Sequence, residues 1–348
     1  MPEFKQFNRR DSLLIMGAAS LAACTAPSTS GEELEMESNE TPKGWRNGAA
    51  MPFAVQEIYP SLHNGRIHQA GGLIAFAGTI VGAATQHISW APGETEWRTE
   101  PDLPLTLHHP QMISFQGALM ALGGFHRANN QTWIMQTGCW QLDGETWIPA
   151  PGLPQPNGES VSVVLGDGLH ICGGRVPKGE ANAEWQDHTD TDAHFVLADR
   201  NGTWETAAPF PNARNSAAAA VIDGAWHVVG GRTVAGGNTP AHDVYDARED
   251  RWRSAAPMPQ GQGGLAAATV GGKLYAFGGE WFGGDGGGVY KECWVYDPAS
   301  DAWAAISDMP NPRHGLGAVA IDGDIYVIGG ALQPSGNQTS TLVEVYRP

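Results

Sequence analysis

The chain is poor in positive charge, in cysteine and in long apolar runs. Lys and Arg number 20 against 37 Asp and Glu, a formal net charge of −17 over 348 residues. Such acidity repels phosphate backbones and anionic head groups, so no nucleic acid is expected as a general partner. No run beyond Leu13–Ala23 approaches the ~20 apolar residues that a bilayer span needs. Cysteines number four, and Cys139, Cys172 and Cys293 read as buried free thiols rather than a disulfide framework. There is no serine-nucleophile elbow, phosphate loop or zinc-protease signature, and no cofactor motif; no cofactor and no metal are expected.

What the chain does have is a ruler. A Trp is followed six positions on by an apolar residue, then Pro, with Gly-Gly ending twenty residues later. The triplets are Trp45/Met51/Pro52, Trp97/Leu103/Pro104, Trp147/Leu153/Pro154, Trp204/Phe210/Pro211, Trp252/Met258/Pro259 and Trp303/Met309/Pro310. Repeats of about 50 residues imply a solenoid or propeller. Inside each repeat two apolar runs meet at a turn such as Asp322-Gly323, the mark of a hairpin. A third strand such as Asp243–Asp246 and a fourth carrying the Trp complete a four-stranded blade.

The last repeat ends in a third strand, Val343-Glu-Val-Tyr-Arg-Pro348, whereas Trp45 stands in a fourth strand with nothing before it. Residues 43–50 are therefore expected to complete the blade begun by residues 310–348, removing two sheet edges. The Gly pairs, the Trp spacing and a Tyr six or seven residues before the Trp resemble kelch repeats, from Lys43 onward. Leu142, Leu197 and Trp90 replace that Tyr in three units. The resemblance implies an all-β fold, a six-bladed kelch β-propeller over residues 43–348. The acidic chain is expected to act as a monomer.

Residues 1–23 resemble a twin-arginine export signal, with Arg9-Arg10 ahead of the apolar Leu13–Ala23. Leu21-Ala22-Ala23-Cys24 looks like a lipoprotein box in which Cys24 is acylated. Losing residues 1–23, which carry net +1, leaves a mature charge of −18. Residues 24–42, rich in Ser, Thr and Glu, read as a flexible acidic tether. The expected place is the periplasm, anchored by lipid on Cys24, with Thr25 favouring the outer membrane.

Function is expected on one face. The loops after the Gly pairs are long and irregular, at 73–86, 125–136, 175–193, 232–241, 280–292 and 331–341, whereas the opposite turns are short. The innermost strands are expected to begin four residues past each Pro, putting Glu57, His108, His109, Glu159, Asn215 and His314 at the channel mouth, with Arg214 and Arg313 just before. Phe125, Arg175, Arg232 and Glu280 follow Gly pairs, and Trp281 is next to the last of these. Arg forks suit carboxylates and aromatic faces suit sugar rings. Glu280 is the acid/base candidate, with His314 and His108 as further proton carriers. The remaining members are candidate ligand contacts; Arg214 and Arg313 have an equally simple reading as interblade pairs with Glu57, Glu159 or Glu280, and His314 and His108 as donors to backbone at strand starts. Asp187-His188, Asp190, Asp192 and His194 have alternate spacing suited to a cation. Because His87, His194 and His242 share one repeat position, they read as repeat features.

Two functions remain open. One is a binding module that captures an envelope glycan or a protein partner. The other is an enzyme acting on a small acidic sugar: periplasmic kelch proteins resembling this chain include sialic-acid mutarotases, which open and reclose a sugar ring by proton transfer. Kelch-type copper oxidases would need a Tyr–Cys cross-link and Tyr/His ligands, and no such set stands out.

Overall fold

A computed structural model of the chain describes residues 43–348 apart from 77–78, 129–130 and 285. The signal with Arg9 and Arg10, Cys24 and the tether lie outside the described residues. Six four-stranded antiparallel sheets form the framework. Blade 2 shows the pattern: Gln111–Phe115, Ala118–Leu122, Cys139–Asp143 and Thr146–Ala150 pair in sequence order. In blade 6 the order runs Gly317–Ile321, Asp324–Ile328 and Val343–Arg347, and the fourth strand is Gly44–Asn47, with Gly44 opposite Arg347 and Asn47 opposite Glu344.

Each hydrophobic cluster straddles two neighbouring blades. Ile67, Ile88 and Trp90 of blade 1 pack on Val319, Tyr326 and Val345 of blade 6, and five similar clusters fill the other interfaces. Burial of one sheet face on the next is the dominant stabilising term. The ruler follows from this packing. Every ruler Trp donates its indole N–H to a carbonyl of the preceding blade: Trp97 to Ala49, Trp147 to Pro101, Trp204 to Pro151, Trp252 to Ala208, Trp303 to Ala256 and Trp45 to Ser307, at 2.8–3.2 Å. The apolar residue six positions on is buried in all six repeats. The Gly pair lets the next blade approach: a Cβ on Gly123 would stand 2.8 Å from the Asn157 carbonyl, and one on Gly329 would stand 2.7 Å from that of Val55. Both glycines also have positive φ.

Two local expectations are corrected. The innermost strands start later, at Ser61, Gln111, Val161, Ala218, Ala266 and Gly317. The preceding segment turns across the channel instead, with Glu57, His109, Glu159, Ser216, Gly264 and Gly315 all at φ between 52° and 71°. Their backbones bond from blade to blade: Glu57 N–H to Gly315 O, Gly315 to Gly264, Gly264 to Ser216, Ser216 to Glu159 and His109 to Glu57, at 2.6–3.1 Å. The long loops are also less irregular than their sequences. Five begin as small hairpins, such as Phe125–Ala128 with Gln131–Met135 and Arg175–Pro177 with His188–Asp190. The sixth holds a 3-10 turn, Pro334–Gly336. The residue after each Gly pair bridges back to the turning segment of its own blade, which seeds the extra layer.

Candidate functional site

The turning segments form a floor, and the small hairpins form walls around a cavity of about 600 Å³ on the long-loop face. Arg175 enters from the blade-3 hairpin and Arg232 from blade 4. Glu280 comes from blade 5, while Glu57, Glu159 and His314 come from the floor. Trp133, Trp185, Trp281, Phe282 and Tyr290 supply aromatic wall.

The charges are paired in sequence around the ring. Arg232 Nη1 donates to Glu280 Oε1 at 2.6 Å, and Glu280 Oε2 accepts the Ser335 N–H at 3.0 Å. Arg175 Nε lies 3.0 Å from Glu159 Oε2, off-line for a hydrogen bond, and the guanidinium stacks 3.1 Å above the Trp185 ring. Glu159 Oε2 also accepts from Ser216 Oγ at 2.8 Å. His109 Nε2 contacts Glu57 Oε2 at 2.7 Å. Burial alone would raise the Glu57 carboxyl, but His109, His314 and Arg232 hold it well below the usual carboxylate range. Glu159 is likewise lowered against its burial by Arg175, His109 and Arg232. Burial lowers the Arg175 guanidinium; Arg232, flanked by Glu159 and Glu280, is raised in spite of burial. Several buried groups here make no hydrogen bond: both amide atoms of Gln56, Arg175 Nη1, Arg232 Nε, Glu159 Oε1 and His314 Nδ1. Unsatisfied polar atoms in a cavity are where a ligand gains most, because binding removes an existing cost.

Of the residues expected at the mouth, Glu57, Glu159, Arg175, Arg232, Glu280, Trp281 and His314 line the cavity. His109 supports Glu57 from beneath. His108 stacks on buried Phe125 at 4.9 Å and touches His109 through Nδ1 at 2.8 Å, so both back the wall rather than face the opening. Asn215 is buried and donates to Asp190 Oδ1 at 2.5 Å.

Arg214 and Arg313 point into their own blades, a correction to their expected position at the mouth. Arg214 donates to the carbonyls of Gly230, Asn212 and Val228 and to Asp243 Oδ2. Arg313 does the same with Gly329, Asn311, Val327 and Glu344. Asn157 and Gln262, at the same repeat position, also reach their own blade's glycine carbonyl. The position is a structural one, and its partners are not the floor glutamates.

The Asp/His run of blade 3 disperses. Asp187 accepts from the Ala183 and Glu184 N–H groups, His188 bonds the Trp133 carbonyl, Asp190 takes Asn215 and Val234, and His194 pairs with His170. Trp133 and Trp185 are cavity residues that the repeat reading passed over. Their signal was available, because with Trp281 they are tryptophans off the ruler and inside the long loops.

Comparison with known proteins places this architecture. The profile described as the KLHDC2/KLHL20/DRC7 Kelch-repeats domain matches residues 111–330. Kelch-like protein terF of Aspergillus terreus is 24% identical over 311 residues, 87% of this chain and 55% of that protein. Kelch-like protein 35 of Mus musculus is 32% identical over 142 residues, 41% of this chain and 23% of that protein. The chain thus spans about half the length of the first relative and about a quarter of the second. The solved structure of YjhT superposes with a TM-score of 0.71 at 15% identity, covering 84% of this chain and 94% of that one, a likeness of fold. With its repeat ruler explained by interblade contacts and the profile matching 220 of 348 residues, the chain belongs to the kelch-repeat family.

Proposed function

We propose that this kelch propeller works outside the cytoplasmic membrane, tethered by lipid on Cys24, as a binding protein for a sugar-sized acidic ligand. The observation that carries the ligand class is the cavity of about 600 Å³, sized for a small molecule and joining aromatic wall to buried, unsatisfied Arg and Gln groups. Kelch propellers are commonly protein-binding modules, and exposed Phe282, at 57%, with Trp281 on the rim would suit a partner chain. The enclosure and the convergent charges favour the small ligand.

The enzymatic reading has its own support. His314 Nδ1 lies 3.4 Å from Glu280 Oε2 and 3.7 Å from Glu57 Oε1, so proton carriers stand on two sides of one site. Anomer exchange on an acidic sugar would use that arrangement.

The chain starting at Thr41 should show a thermal shift and saturation-transfer signals with acidic sugars, weakened in Arg175→Ala. A bound sugar then justifies following anomer exchange by NMR. No response from any sugar, with the fold intact, would reject the cavity reading in favour of a protein partner. Export and anchoring are tested separately: the full chain should label with palmitate, and Cys24→Ala or Arg9→Lys/Arg10→Lys should abolish labelling. An unlabelled wild type would sink the anchor.

A further inference from the structure

The blade-5 hairpin carries an aromatic ring that is both exposed and fixed. Its strands pair Glu280 with Val289 and Trp281 with Gly288. Gly286 and Gly287 have positive φ, which accounts for glycine there, but Gly288 does not. What Gly288 supplies is room: a Cβ on it would stand 2.3–2.4 Å from Cη2 and Cζ2 of the Trp281 indole, so the ring lies over bare backbone. Tyr290 packs against the same indole, with ring centroids 4.9 Å apart. Held by both, Trp281 lines the cavity and still keeps 38% of its surface exposed. A large apolar ring placed so gains little for the fold, because much of it stays in water until a ligand covers it.

Polar groups share the lining with this platform. Asn238 Nδ2 donates to the Glu280 carbonyl at 2.6 Å and stands 3.4 Å from the Tyr290 hydroxyl, while Thr233 and Ser335 add hydroxyls. A sugar ring matches that mixture. Its C–H face meets the negative face of an aromatic ring, and the hydroxyls round its edge find hydrogen-bond partners. A wholly apolar group would bury the same polar atoms unpaired. The platform is also distinct from the charged floor. Successive residues of a strand face opposite ways, so Glu280 turns to Arg232 and the Ser335 N–H while Trp281 stands toward the rim. The cavity of about 600 Å³ lies within the roughly 300–1,000 Å³ of pockets that bury drug-sized ligands, which are larger than a single sugar ring.

Resting on the small-ligand reading above, we infer that the site takes the end of an acidic oligosaccharide rather than a free sugar: the acidic ring sits on the charged floor at Arg232, and the ring joined to it stacks on Trp281. Of the two cavity guanidinium groups, Arg232 is the one that still meets solvent, with 11% of its side chain exposed against 1% for Arg175. Its Cζ stands 5.7 Å from the centre of the Phe282 ring, close enough for one glycosidic bond to carry a ligand from the floor to the rim. Phe282, next along the chain from Trp281 and 57% exposed, continues the apolar surface outward, where further rings would leave the cavity.

The test is calorimetry on the chain starting at Thr41 with two series: galacturonic, digalacturonic and trigalacturonic acids, and N-acetylneuraminic acid with sialyllactose. In at least one series the longer members are expected to bind about tenfold more tightly than the single acid. Trp281→Ala should cut that ratio to about twofold or less, and Gly288→Ala, which displaces the indole without removing it, should cut it as well. Trp281→Phe, which restores a flat apolar face, should recover part of the ratio. Saturation transfer should mark the C–H protons of the second ring in the unaltered chain and fade there in Trp281→Ala. Equal or falling affinity along both series, or a gain with length that Trp281→Ala leaves untouched, would overturn the second subsite and leave the cavity reading standing. Silence from every member and from the wider panel of sugars would overturn both.

Discussion

Arg214 and Arg232 have the same side chain and opposite uses. Arg214 satisfies its donors on Asp243 and three carbonyls of its own blade, while Arg232 spends one nitrogen on Glu280 and leaves Nε unpaired beside a cavity. Removing Arg214 or Arg313 strands Asp243 or Glu344 as a buried uncompensated charge, a loss of about 3–5 kcal/mol for such pairs. Arg214→Ala and Arg313→Ala should therefore lower the denaturation midpoint strongly, yet bind ligand normally at temperatures where they remain folded. Arg175→Ala should lose affinity as well as stability, because it also leaves buried Glu159 without its guanidinium. It removes a guanidinium stacked on Trp185 and facing the ligand, for an affinity loss of roughly tenfold, or about 1.4 kcal/mol. Urea melts and calorimetry on the three variants separate the roles. If Arg313→Ala lost affinity while keeping its stability, its assignment to the blade interior would be wrong.

At the scale of strands and loops, regular features were legible and one-off features were not. The Trp, apolar and Gly-Gly positions recur because each makes the same interblade contact six times, so spacing alone exposed the blades. The start of the innermost strand was misplaced because Glu57, His109, Glu159 and Ser216 adopt positive φ, a choice imposed by bonding to the next blade rather than by local preference. Trp133 and Trp185 recur at no repeat position, so only their place off the ruler and inside a long loop marks them.

The histidines at one repeat position turn out to be halves of pairs. His68, His170 and His227 on second strands contact His87, His194 and His242 on third strands at 2.9–3.0 Å, and the latter three bond the carbonyls of Pro101, Ala208 and Ala256. Burial, followed by the neighbouring imidazole, pushes His68 and His227 down to about 3 and His170 to about 4. A His near 6.5 in the unfolded chain and lower in the fold takes up protons first when unfolded, so these pairs cost nothing above about pH 6.5 and drain stability as pH falls from there toward 4. The melting temperature is expected to fall by on the order of 10 °C between pH 7 and pH 4.5. NMR should find these six rings neutral at pH 5.5; rings titrating near 6.5 in the fold would remove the cause.

For the whole molecule, the contact of blade 6 with blade 1 fixes both closure and site. Gly44–Asn47 supplies the outer strand of blade 6, and Trp45 lies against Phe277 at 5.6 Å and Tyr346 at 5.1 Å while bonding the Ser307 carbonyl. On the inner side, Val55 N–H bonds Ser340 O, Gly330 N–H bonds Val55 O, and Glu57 N–H bonds Gly315 O. Glu57 and His314, from the first and last blades, thus meet in the cavity only while the two are joined. A chain starting at Gly48 would keep every residue that lines the cavity but lose that outer strand, leaving Val343–Arg347 as an open edge. Relative to the chain starting at Thr41, it should melt on the order of 10 °C lower and associate as concentration rises through the bare edge. Its ligand affinity should fall although no ligand contact was deleted, and a peptide of residues 43–50 added in excess should recover part of both losses. Equal melting and equal affinity in the two chains would mean that the inner bonds alone hold blade 6 to blade 1, and that the first strand is dispensable for shaping the cavity.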